Sequence, residues 1–315
     1  MSRFFNVAMV QVASDISGSD FEARKAAHRA KTERYLDTIL GVNPVVDLFV
    51  LPEAFMSGFD PANWAALAET IPGPTSEYFC RKAQELGKWL CPGSIVERRE
   101  LGEGVSRAGI YNTSLLISPA GDIVLTYRKV FIPYPFEPSA RGGEFPVAEI
   151  PGIGKVGIMI CADHAVPEVA RNLAFNGAEV ILNPICQAIF IGGLRHLVPL
   201  TQVRAMENQC YVVAVNQAAP EGMGHSLVCD PEGRILEELE SPESFAIVSL
   251  DLEEVFRARE FGSFGVSNQF LKMARDCQTE GGGLDTCYRR GLDNAPVFKT
   301  LSGPAPKKPE EIRHA

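Results

Sequence analysis

The stretch KVGIMICADHAVPEVARNLAFNGAEVILNP, residues 155–184, decides the fold. Its opening run, KVGIMIC (155–161), is apolar and reads as a buried strand. PEVARNLAFNG (167–177) has helical spacing, with Pro167 at its start and Gly177 at its close. AEVILNP (178–184) is apolar again and reads as a second strand. Cys161 stands where the first strand gives way to the helix, with Asp163 and His164 just behind it. A cysteine in that place is either core filler that ends a strand or a nucleophile presented at the strand's C-terminal end.

Working outward, the same alternation covers most of the chain. Toward the N-terminus, 6–13 reads as a strand, 21–40 as a helix, 45–53 as a Val-rich buried strand, 75–89 as a helix behind Pro74, and 90–98 as a strand. Residues 111–130 form two strands around Ser-Pro-Ala-Gly-Asp, a turn signal. Toward the C-terminus come a helix at 194–209, with Pro199 an irregularity near its start, and a strand at 210–218. A second hairpin follows at 225–239, around Asp-Pro-Glu-Gly, and then a strand at 245–252 that leads into a short helix. The two hairpins, TSLLISPAGDIVL and HSLVCDPEGRIL, share one pattern, and no linker separates the halves. The expectation is therefore α/β: mixed sheets with helices outside them, in one domain over 1–260. Residues 261–315 turn Gly-, Pro- and charge-rich and read as a C-terminal extension, an arm for a partner subunit.

Composition narrows the function. With 46% hydrophobic and 22% charged residues, the chain has an ordinary globular make-up. A net charge of −9 lacks the basic footprint that nucleic acid demands, so no nucleic-acid partner is expected. No apolar run reaches the ~18 residues of a membrane helix, and VAMVQVA near the start suits a first strand better than a signal peptide. Eight cysteines (80, 91, 161, 186, 210, 229, 277 and 287) include no CxxC pair, which argues against a zinc ribbon. A reducing, cytoplasmic setting with free thiols is expected, and there the sequon at Asn112 has no role.

A nucleophilic cysteine needs a group that takes its proton. Histidine is the usual partner: His164 is three residues away with little room to reach back, His28 lies in a polar helix and His314 in the tail, while His196 and His225 remain open without a supporting motif. Two other strand ends offer a different solution. LFVLPEAFMSGF (48–59) ends an apolar strand on Glu53, and TYRKVFIPYPFEPSARGGEF (126–145) ends one on Lys129. Strand ends and their loops are where sites are built. Each charge alone is a bland surface feature; base, cation and nucleophile together are not.

These three segments together resemble the nitrilase superfamily of carbon–nitrogen hydrolases, over roughly residues 5–255. The matching residues are Glu53 in LPEAF, Lys129 in YRKVF and Cys161 in GIMICADHAVPE. The resemblance implies a four-layer α-β-β-α sandwich and a Glu-Lys-Cys triad. It implies a second glutamate in the loop after the lysine, which Glu137 supplies ahead of Glu144. In those roles Glu53 is the general base and Lys129 with the Ala162 N–H holds the oxyanion. Glu137 holds the substrate amide and a water, and neither metal nor organic cofactor is needed.

The residues after the nucleophile discriminate among branches. Ala162-Asp163-His164-Ala165 lacks the arginines of carbamoyl hydrolases and the Trp-Glu of true nitrilases, and is closer to the amidase pattern. The expected substrate is a linear carboxamide, ahead of an N-carbamoyl compound and then a nitrile. Cys186 is expected beside the pocket, Tyr134 and Phe190 along the acyl group, and His164 as a shaping residue. The resemblance also implies a homodimer or larger even oligomer. A silent binding module on the same fold is the alternative outside enzymology, and a glutamine-fed amidotransferase lacks its ATP-using G-x-x-x-x-G-K-[ST] loop here.

Overall fold

A computed structural model describes residues 3–17, 20–99, 109–134, 136–187, 193–262 and 271. The first half runs β1 (Phe4–Gln11), α1 (Phe21–Val42), β2 (Leu48–Val50), α2 (Trp64–Leu67), α3 (Pro74–Leu86), β3 (Trp89–Cys91), β4 (Ser94–Arg99), β5 (Gly109–Ile117) and β6 (Ile123–Arg128). The second runs β7 (Val147–Ile150), β8 (Gly154–Ile158), α4 (Pro167–Phe175), β9 (Val180–Ile185), α5 (Leu194–Asn208), β10 (Tyr211–Asn216), β11 (Leu227–Cys229), β12 (Ile235–Glu238), β13 (Ser244–Asp251) and α6 (Glu253–Phe261).

The strands form two mixed sheets. One has the order β13-β1-β2-β3-β5-β4 with β6 on β5; the other has the order β12-β11-β10-β9-β8-β7. In each, a parallel trio (β1-β2-β3 and β8-β9-β10) is continued by an antiparallel hairpin. The layering follows from period-2 side-chain alternation on strands that are buried on both faces. Val7, Met9, Leu48 and Val50 meet Val180, Leu182, Val213 and Val215 in the core between the sheets. The alternate residues Ala8, Val10, Phe49 and Leu51 pack outward with Leu36 and Ile39 of α1 and Phe79 and Ala83 of α3. Ile181, Val212 and Ala214 do the same with Val169 and Leu173 of α4 and Leu197 and Ala205 of α5. The result is the expected α-β-β-α sandwich.

Local chemistry sets the element ends. The Asp20 carboxylate accepts from Ala23 N and caps α1, while Pro74 and Pro167 occupy the first turns of α3 and α4. Pro199 lies inside α5, which continues past it.

Three expectations need correction. The single strand expected at 90–98 is two, β3 and β4, broken at Pro92-Gly93. Gly93 has φ +79°, and a Cβ there would collide with the Pro52 carbonyl. The strand expected to run to Cys161 stops at Ile158, and Cys161–Ala165 is a 3-10 turn. β7 was not read from sequence; it is a short edge strand paired antiparallel with β8. As for the 1–260 and 261–315 division, α6 crosses position 260, and most of the extension lies outside the described residues.

Candidate active site

Four strand ends converge at one end of the sandwich. Glu53 follows β2, Lys129 follows β6, Cys161 follows β8, and Cys186 follows β9. Backbone geometry is forced at two of these points: Ala54 has φ +51° and Cys161 φ +45°, a left-handed region that non-glycine residues rarely adopt. Such strain persists only where surrounding contacts hold it, and it clusters at functional sites. At Ala54 the holding contact is Ser94 Oγ, which accepts from Ala54 N at 2.9 Å.

Lys129 is the hub. Its Nζ donates to Glu53 Oε1 at 2.9 Å and to Glu137 Oε2 at 2.6 Å, and all three side chains are buried. Asn112 on β5 spans the two acids: its Nδ2 donates to Glu53 Oε1 at 2.8 Å and to Glu137 Oε1 at 3.2 Å. Ser139 Oγ donates to Glu137 Oε1 at 2.8 Å. The second oxygen of Glu53 accepts the Cys186 N–H at 2.9 Å, and Gln217 Nε2 grips the Glu53 carbonyl at 2.8 Å. The Cys161 thiol lies within the electrostatic reach of Glu53, Lys129 and the Cys186 N–H. Cys161 and Ala162 remain partly exposed, whereas Glu53, Lys129 and Glu137 do not.

The electrostatics follow from burial. Burial raises the Glu53 carboxyl above its usual range; Lys129 opposes that rise and Glu137 adds to it. Burial pulls the Lys129 ammonium down, but Glu53 and Glu137 together outweigh it and keep it cationic. Burial and the neighbouring Glu53 push the Cys161 thiol up, only partly offset by Lys129 and the Cys186 N–H. Burial thus favours the thiol over the thiolate at Cys161, and it favours the neutral form of Glu53 beside it. Two acids sharing one cation in a buried setting is a costly arrangement that hydrophobic replacements would avoid. What it offers chemically is a buried carboxyl and a fixed cation beside a partly exposed thiol.

The other expected residues are placed as follows. The Cys186 side chain is buried, and its backbone N–H is the contact to Glu53. His164 is buried, with Nδ1 at 3.4 Å from Asn183 Nδ2. Burial, with Arg204 and Lys129 nearby, lowers its imidazole to about 4, so it is neutral. Among the described residues nothing accepts the Ala162 N–H. Tyr134 is 58% exposed. Glu144 is exposed and outside the cluster, and Phe190 lies outside the described residues.

Residues missed in the sequence include Asn112, Ser139, Gln217 and Asp163. Asn112 had a signal: Asn112-Thr113-Ser114 interrupts an otherwise apolar strand, and all three are buried and partnered. Gln217 and Ser139 carried no such mark.

The chain is similar to known proteins over most of its length. The family model for carbon–nitrogen hydrolases matches residues 6–260. The human deaminated glutathione amidase is 32% identical over 232 residues, covering 67% of this chain and 69% of that protein. The 2-oxoglutaramate amidase of Bacillus subtilis is 31% identical over 221 residues, covering 68% and 82%. Among solved structures, Saccharomyces cerevisiae Nit3, a member of branch 10 of the nitrilase superfamily, superposes with a TM-score of 0.73 at 27% identity, covering 85% of this chain and 97% of that one.

Proposed function

The chain belongs to the carbon–nitrogen hydrolase family, and from that membership we propose that it hydrolyses a linear carboxamide through a thioester on Cys161. It is an amidase-type hydrolase of C–N bonds other than peptide bonds. The observation that carries the residue assignment is the buried Glu53–Lys129–Glu137 cluster set beside a partly exposed thiol. Relatives named for amidase activity on deaminated glutathione and 2-oxoglutaramate support the substrate class.

The steps follow from the contacts. Glu53 takes the Sγ proton as sulfur attacks the carbonyl carbon, since the raised thiol is not ionised beforehand. The developing oxyanion is met by Lys129 Nζ and the Ala162 N–H; one such donor is worth ~3 kcal/mol in the barrier. The protonated Glu53 gives its proton to the departing amine, and ammonia leaves. Glu137 orients the amide and then a water, Glu53 deprotonates that water, and its attack on the thioester releases the acid and restores the thiol.

A reducing, cytoplasmic setting suits the six free cysteines among the described residues, and no described helix is long and apolar enough to cross a membrane. An even homo-oligomer is part of the reading, with Leu194, Val203 and Met206 on α5 as outward apolar surface.

The test is a release assay on the purified protein with aliphatic amides, N-carbamoyl compounds and nitriles, scoring ammonia and carbon dioxide. Ammonia without carbon dioxide, from amides alone, is the expected result. Carbon dioxide from carbamoyl compounds would replace the substrate class. Cys161→Ala and Glu53→Gln should each lower kcat by about 10³-fold or more, and full activity in either sinks the triad.

A further inference from the structure

We propose that Asp163 is a positioning residue, a carboxylate staple that ties the backbone carrying Lys129 to the turn carrying Cys161. This rests on the reading of those two residues as cation and nucleophile. They belong to different sheets: Lys129 follows β6 of the first, and Cys161 follows β8 of the second. Catalysis requires the two groups held within a fraction of an ångström of their working positions.

Glu53 is already tied across the sheets by the Cys186 N–H and Gln217; Asp163 supplies the link between the backbones of Lys129 and Cys161. It is fully buried. Its Oδ1 accepts the Phe131 N–H at 2.7 Å. Its Oδ2 accepts the Tyr127 hydroxyl at 2.7 Å and the Ile160 N–H at 3.0 Å. Tyr127 and Phe131 lie two residues either side of Lys129, and Ile160 directly precedes Cys161. One carboxylate thus brackets the lysine on both sides and holds the residue before the nucleophile. The side-chain partners of Lys129, Glu53 and Glu137, both come from the first-sheet side. They orient the ammonium without pinning the Cys161 backbone, whose φ of +45° needs external support. A carboxylate is the natural choice, because it is an acceptor at both oxygens and meets three donors; an amide would turn an N–H toward at least one of them.

The test uses Tyr127→Phe, which removes one hydroxyl from the staple and leaves Lys129, Glu53 and Cys161 untouched, beside Asp163→Asn. The first readout is the rate at which iodoacetamide alkylates Cys161, measured by peptide mass spectrometry against Cys80, a partly exposed thiol on α3. Lys129 is the cation that favours the Cys161 thiolate. Loosening the staple should slow Cys161 relative to Cys80 by about tenfold in Tyr127→Phe, the equivalent of one pH unit in thiolate population. The second readout is a kcat about 100-fold lower in Asp163→Asn with KM within about threefold. Should Asp163→Asn fail to fold, Tyr127→Phe decides alone. An unchanged Cys161-to-Cys80 ratio in Tyr127→Phe, or acceleration of both thiols together, overturns the staple. Alkylation needs no amide turnover, so a protein silent toward amides in which the ratio still falls would overturn the proposed substrate and leave the staple standing.

Discussion

At the scale of single residues, the site is a problem of placing one proton. In the proposed mechanism Glu53 must be ionised to receive it, yet burial and Glu137 favour its neutral form. A carboxyl raised in this way loses activity as pH falls through its own raised value. The acid limb of kcat/KM should therefore lie above the ordinary glutamate range of about 4.3, and a limb at or below that range would contradict the assignment of Glu53 as base. Asn112 is the neutral donor that keeps the two acids apart. Asn112→Asp would replace that donor with a third buried carboxylate, so the acid limb should move further up in pH, by about one unit or more. Asn112→Ala, which adds no charge, should lower kcat by roughly tenfold and move the limb less. A pH–rate series on the three proteins separates these outcomes.

At the scale of elements, what places Glu53 is the break between β3 and β4. Gly93 lets the chain pass directly over the Pro52 carbonyl, and its own carbonyl accepts the Ser114 hydroxyl at 2.6 Å. Next in line, Ser94 holds Ala54. Gly93→Ala meets both the left-handed penalty and a backbone collision, and is expected to cost roughly 2–3 kcal/mol of stability together with most of kcat. Gly152, with φ +76° in open space, is the control. Gly152→Ala carries only the left-handed penalty, about 1 kcal/mol, and should keep full kcat. Urea unfolding and turnover on the two variants distinguish close approach from φ alone; equal effects would remove Gly93 from the account of how Glu53 is held.

At the scale of the whole molecule, stability against acid is tied to the site. His164 is buried behind the nucleophile turn, its carbonyl accepts from Arg204 Nε at 2.8 Å, and its imidazole is lowered to about 4. A histidine lowered on folding contributes stability that is present above its unfolded value of about 6.5 and lost as pH falls toward about 4. Neighbouring Asp163 acts in the opposite sense: burial raises it to about 6, so its contribution is lost as pH rises through that value. The comparison that isolates the imidazole is the parent against His164→Gln. The parent should lose ground to the variant by up to about 3 kcal/mol between pH 6.5 and 4, read from urea midpoints. Parallel pH profiles would place the imidazole elsewhere in the titration.

Much of this molecule was legible one residue at a time. The strand–helix–strand pattern around Cys161, the paired hairpins, and the acid, lysine and cysteine at three strand ends could be read because periodicity and strand termination are local properties. The layers followed, since strands apolar on both faces must be covered on both. What the sequence did not disclose is what depends on long-range meeting. Asn112 read as an irrelevant sequon, because nothing local says that its amide bridges Glu53, 59 positions away, to Glu137. The break at Gly93 is set by the Pro52 carbonyl of another strand, and a single strand was the better local reading. Asp163 was legible only as the second residue after the nucleophile; its hold on both flanks of Lys129 exists once the two sheets pack. The sequence by itself marked Glu53, Lys129 and Cys161 as candidate site groups, because residue type and strand position are written in it. Tertiary structure alone decided their protonation and registry, because burial, charge proximity and hydrogen bonds between sheets arise only when distant segments close on one another.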